Sequence, residues 1–140
     1  MKIRATILAL CCGLTAVAGA ATRSDSMAAI KAALPAAEVS ILLDVGREYG
    51  LTGDALKLLL VIRKIENGRP GYEMGVASDF PHHKSHRYKS DPARSLRLQA
   101  KWAAGTIRNH YKGDLLAFAR RYCPPKPEHW TRMARHWMAR

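Results

Sequence analysis

The chain has 140 residues, almost half of them hydrophobic, and carries 23 Lys and Arg against 11 Asp and Glu. That length allows one domain with a modest core, and the excess of cations favours a polyanionic partner, with a basic face that only aids solubility as the alternative. The charge is concentrated: residues 21–79 hold seven Lys or Arg against eight Asp or Glu, whereas residues 80–140 hold fourteen against three.

In chain order, MKIRATILALCCGLTAVAGA comes first. Lys2 and Arg4 precede an apolar run from Ala5 to Val17, and Ala18-Gly19-Ala20 supplies a small-residue cleavage site. Residues 1–20 therefore read as a signal peptide, cut after Ala20. The alternative is a membrane anchor, for which the run is short, since roughly 20 apolar residues are needed to span a bilayer. Leu10 stands where lipidation at Cys11 would require a small residue. Export to the periplasm or beyond is the expectation, and Cys123 then remains as a single thiol, packed as a small hydrophobe. The leader argues against nucleic acid, so the expected polyanion is the cell wall, with peripheral contact to an anionic membrane.

Residues 21–35 are small, polar and Ala-rich, and read as a flexible N-terminal segment with at most a short helix. A folded domain is expected over 36–140. Val39, Ile41, Leu42, Val45 and Tyr49 recur at helical spacing until Gly50. Thr52 and Asp54 suit the start of a second helix, DALKLLLVIRKIEN, which is apolar on most faces and predicts the central helix. Its last useful position is Glu66. Residues 67–92 are rich in Gly, Pro, His and Lys, with YEMGVAS as a candidate short strand or hairpin. Loops of that length are usually functional or disordered. Asp91-Pro92 starts a long helix ended by Gly113, Asp114 caps LLAFARRY, and Pro127 opens a last helix with Trp130, Met133 and Trp137 at i, i+3, i+7. The predicted class is all-α, four to five helices with a long loop or small β-hairpin after the central one.

Glu66 is the unusual residue. A carboxylate at a helix C-terminus faces the negative end of the dipole. That position, an apolar approach through Ile62 and Ile65, and a roof from the following loop would all raise its pKa. A carboxyl group protonated near neutrality can donate its proton to a glycosidic oxygen. The competing reading is a surface Glu66 paired with Arg63 or Arg69, three residues away on either side.

A buried helix ending in Glu66-Asn67, a polar loop, and the segment Met74-Gly75-Val76-Ala77-Ser78 together resemble the lysozyme-like superfamily. Goose-type lysozymes and soluble lytic transglycosylases are the nearest parallels. The tract Leu116–Cys123 falls where that family has a helix with a cleft-facing tyrosine, here Tyr122. Ala77 or Ser78 stands where the family has glutamine, and Glu66-Asn67 where it has Glu-Ser. The resemblance implies a fold over residues 38–137, cleavage of the MurNAc–GlcNAc bond, and Glu66 as acid/base. In transglycosylases of this kind one glutamate suffices: it protonates the leaving oxygen and then helps the muramyl 6-hydroxyl close an anhydro ring.

A second carboxylate would change the mechanism. Retaining glycosidases hold two carboxyl groups about 5 Å apart, inverting ones about 6.5–9.5 Å apart. Glu73 is the candidate second catalytic residue, with propping of the loop as its alternative role; Asp79 is more remote. Asn67, Tyr72, Met74, Ser78 and Tyr122 are candidate substrate contacts. His82, His83 and His86 lack the helical spacing and acidic companion of a zinc site, so neither metal nor cofactor is expected. They extend the basic face instead. Arg132, Arg135, His136 and Arg140 alternate with Trp130 and Trp137, which suits either a core helix or a membrane-surface helix. The expected function is a monomeric peptidoglycan-cleaving glycosidase. Its alternative is a catalytically inactive lysozyme-like module that binds glycan strands through the basic face.

Overall fold

Five consecutive residues, Leu58 to Ile62, have no exposed surface. They form the middle of α2 (Gly53–Glu66) in the computed structural model, which describes residues 27–75 and 85–140. The proposed leader, Ser78, Asp79, His82 and His83 lie outside the described residues. Burial all round a helix requires neighbours on every side. α2 meets α1 (Ala36–Glu48), α3 (Pro92–His110) and α5 (Pro127–Met138), while α4 (Leu115–Tyr122) packs on α3 and α5. At roughly 1.5–3 kcal/mol per buried large aliphatic side chain, this helix is the main apolar contribution to stability. The fold is all-α; among the described residues there is no strand, and no helix is long and apolar enough to cross a membrane.

The helix starts follow local chemistry. The Asp91 carboxylate accepts from Arg94 N at 3.1 Å, and Asp114 accepts from Leu116 N and Ala117 N at 2.8 and 3.1 Å. Each satisfies backbone donors that the first turn leaves free. Thr52 holds the N-cap position of α2, but its hydroxyl makes no capping bond.

Two expectations are corrected. Residues 27–32 are helical, Ile30 is fully buried, and Met27 and Leu34 pack on the core, so this part of the 21–35 segment belongs to the domain. Lys64 Nζ ties it down by donating to Ala33 O at 3.1 Å. The apolar residues there are too sparse to stand out from the alanines around them. The described half of YEMGVAS, residues 72–75, is a succession of turns instead of a strand. Tyr72 N donates to Arg69 O and Gly75 N to Tyr72 O, at 2.9 and 3.2 Å. Three further backbone groups find side chains. Gly71 N donates to Ser95 Oγ (3.1 Å) and Met74 N to Gln99 Oε1 (2.7 Å), while Glu73 O accepts from Arg63 Nη1 (3.3 Å). A segment whose polar groups are satisfied by side chains of α2 and α3 has no need of a partner strand.

Candidate active site

α2 ends at Glu66 because Asn67 takes up the left-handed conformation, φ 43° and ψ 33°, and returns its N–H to Arg63 O at 3.1 Å. Asparagine tolerates that region better than most residues. Beyond it the chain turns back, so that Gly75 lies directly against the Glu66 side chain. A methyl group added at Gly75 would stand 2.7 Å from the Glu66 carboxyl carbon, and φ there is +67°. Glycine is required twice, for its backbone angle and for its missing Cβ.

The second wall comes from α5. Trp130, 2% exposed, donates its indole N–H to Glu66 Oε1 at 2.9 Å. A buried indole needs an acceptor, and the carboxylate supplies it. Burial raises the pKa of Glu66 above the ordinary carboxylate value, and the Trp130 hydrogen bond opposes that rise in part. Neither neighbouring arginine intervenes. Arg63 pairs instead with Glu38, Nε to Oε2 at 2.8 Å, and Arg69 stacks over the Tyr72 ring at 5.5 Å. Among the described residues Glu66 has no cationic partner.

Tyr122, at the end of α4, holds the loop in place by donating its hydroxyl to Met74 O at 2.8 Å. Its ring lies within 5.7 Å of the Phe118, Trp102 and Trp130 rings, centre to centre. Burial first, and the Glu66 charge second, push the phenol well above its usual pKa, so it remains a donor. The same two causes raise the pKa of the Cys123 thiol.

Glu73 is 3% exposed and props the loop from within. Its Oε2 accepts from Ser95 Oγ at 2.8 Å and from Gln99 Nε2 at 2.6 Å. Ser95 and Gln99 in turn hold the main chain at Gly71 and Met74, so one carboxylate organises the segment that carries Gly75. A catalytic role for Glu73 is corrected to this positioning role, because a residue so enclosed does not reach a glycan. Met74 is corrected likewise: its side chain is fully buried, which leaves only its backbone near the site. Asn67 is exposed and Tyr72 half-buried, with Lys89 over the Tyr72 ring at 5.8 Å. Ser78 lies outside the described residues. No group of three His, Cys, Asp or Glu converges among the described residues.

In the sequence Trp130 suits a core or a membrane-surface helix alike, with no sign of its bond to Glu66, and nothing there singles out Gln99. The only available signal was general: a buried Trp or Gln needs a polar partner. Gly75→Ala is expected to lower stability by about 1–2 kcal/mol from the left-handed backbone alone, read as a lower urea midpoint. It should also weaken the Trp130–Glu66 contact, read by indole N–H chemical shift.

No protein-family model matches this sequence, and neither a curated protein nor a solved structure gives a significant match.

Proposed function

We propose that the protein is an exported, lysozyme-like glycosidase that cleaves the MurNAc–GlcNAc bond of peptidoglycan with Glu66 as its single acid/base. The observation that carries this reading is the setting of Glu66: a helix-terminal carboxyl, held by Trp130 and Gly75, with no ion-pair partner among the described residues and biased toward its protonated form.

The chemistry follows from the two oxygens. Oε1 accepts the indole N–H, so the acidic proton belongs on Oε2, the oxygen beside Gly75. From there it passes to the glycosidic oxygen as the bond to the muramyl anomeric carbon breaks. The carboxylate left behind then takes a proton from the attacking group. That group is the muramyl 6-hydroxyl in a transglycosylase and water in a lysozyme. The burial of Glu73 favours a route with one carboxylate. The net charge of residues 80–140 suits an anionic, carboxylate-bearing wall polymer.

The acid must be protonated to act, so activity falls as pH rises through the raised Glu66 pKa. Trp130→Phe removes the hydrogen bond that favours the carboxylate. The alkaline limb of kcat/KM is therefore expected to move to higher pH in that variant, measured on soluble glycan fragments. A limb that stays in place would mean that another group titrates there.

The deciding experiment is mass spectrometry of the soluble products from intact peptidoglycan. Anhydro-muropeptides identify a lytic transglycosylase, and reducing-end products a lysozyme-type hydrolase. No products, with the protein sedimenting with the wall, would make it a glycan-binding module acting through its basic face.

A further inference from the structure

The outer side of α5 carries a feature that cleavage at Glu66 does not use. Trp130, Thr131 and Ala134 turn into the core, whereas Met133 and Trp137 are half-buried on the flank. There, with Lys64 and Ile65 from the last turn of α2, they form an open groove of about 340 Å³, rimmed by Arg132 and His136. The floor is apolar: Ile65, Met133 and Trp137. The Trp137 ring has Lys64 Nζ 5.6 Å and the Arg140 guanidinium 5.2 Å from its centre. None of the residues lining the groove is acidic.

The cations extend beyond the groove. Arg120, Arg121, Lys126, Arg132, Arg135 and Arg140 are all exposed, and between Arg120 and the end of the chain Glu128 is the only acidic residue. Positive charge carried by this many exposed side chains of α4, α5 and the residues around them matches a continuous sheet of negative charge better than a single anionic group. An indole and a thioether at the centre of that field, beside long cationic side chains, match the boundary between headgroups and acyl chains.

We propose that this groove and the exposed side of α5 dock the protein on a bilayer containing anionic phospholipid. α5 lies along the surface, Trp137 and Met133 enter the acyl boundary, and Arg132 and Arg140 meet the phosphates. The proposal is independent of whether Glu66 cleaves anything.

The full chain is mixed with vesicles of phosphatidylcholine alone, or with phosphatidylglycerol as a third of the lipid, and bound protein is measured by sedimentation. Binding is expected to depend on phosphatidylglycerol and to weaken with added salt. Arg132→Gln combined with Arg140→Gln should reduce partitioning roughly 30-fold, at about a tenfold loss for each 1.4 kcal/mol and about 1 kcal/mol per surface cation. Both are exposed side chains, and the variant keeps the same N-terminal residues, so the difference reads this surface alone. Lipids brominated on the acyl chains should quench the fluorescence of the protein, and Trp137→Phe should abolish that quenching while the protein stays folded by circular dichroism. Partitioning unaffected by the double substitution, or quenching that persists in Trp137→Phe, would overturn the proposal. So would retention by polyglutamate with no binding to either vesicle, which would make an acidic peptide the occupant.

Discussion

Glu66→Gln is expected to reduce glycan cleavage by roughly two to four orders of magnitude, the usual contribution of a positioned general acid. It should do so without lowering stability. The amide keeps an oxygen for the Trp130 N–H and nearly the same volume against Gly75, so the site persists without its proton. The linkage has a definite sign. In the unfolded chain Glu66 ionises at its ordinary value, whereas burial in the fold holds the proton to higher pH. Below the ordinary value both states are protonated and the residue adds no pH dependence. As pH rises above it, the unfolded chain gives up its proton first, so the fold loses stability until the raised pKa is passed. Gln carries no such penalty. The variant should therefore melt at or above the wild-type temperature at neutral pH, and the gap should close in acid. Differential scanning calorimetry at pH 4 and pH 7.5, beside the muropeptide assay, checks both halves. A variant that loses activity and also melts lower at neutral pH would mean that the carboxylate holds the fold together.

Glu73→Leu is expected to cost about 4 kcal/mol. The Ser95 hydroxyl and the Gln99 amide both donate to Glu73 Oε2 inside the core, and each is left without its acceptor when that oxygen is removed. Buried donors stranded in this way cost about 1–3 kcal/mol apiece. The damage spreads, because Ser95 also accepts from Gly71 N and Gln99 from Met74 N. The turn carrying Gly75 then loses its register against Glu66, and activity falls along with stability. Glu73→Gln separates this positioning role from catalysis. It keeps an acceptor oxygen in the same place, so a catalytically required carboxylate would lose all activity on that change, whereas a prop retains most of it. Urea unfolding midpoints and initial rates on soluble glycan distinguish the two.

The position of Glu66 and the environment of Glu66 have different origins. Asp91, Asp114 and Asn67 act on backbone groups within four residues of themselves, so the ends of α2, α3 and α4 follow from short stretches of chain. The unbroken apolar run of α2 likewise identifies the central helix, because a helix apolar on most faces is stable only when surrounded. Those two local facts put a glutamate at the end of the most buried helix, and the sequence alone determined that much. It also determined the uneven charge and the two-sided pattern of α5.

Tertiary structure decided the rest. Trp130 and Glu66 are 64 residues apart, and Met74 and Gln99 are 25 apart. Helical periodicity states that a side chain is buried but not which partner it meets. Trp130 and Trp137 read alike in the sequence, yet the packing of α5 on α2 turned one toward Glu66 and left the other on the flank. Arg63, equally spaced to pair with Glu66, was taken by Glu38 on α1. Residues 72–75, read as part of a hairpin, became a series of turns, since Ser95, Gln99, Tyr122 and Arg63 supplied hydrogen bonds that a second strand would have offered. Each outcome was a competition for a polar partner, and such competitions are settled only when the helices have packed.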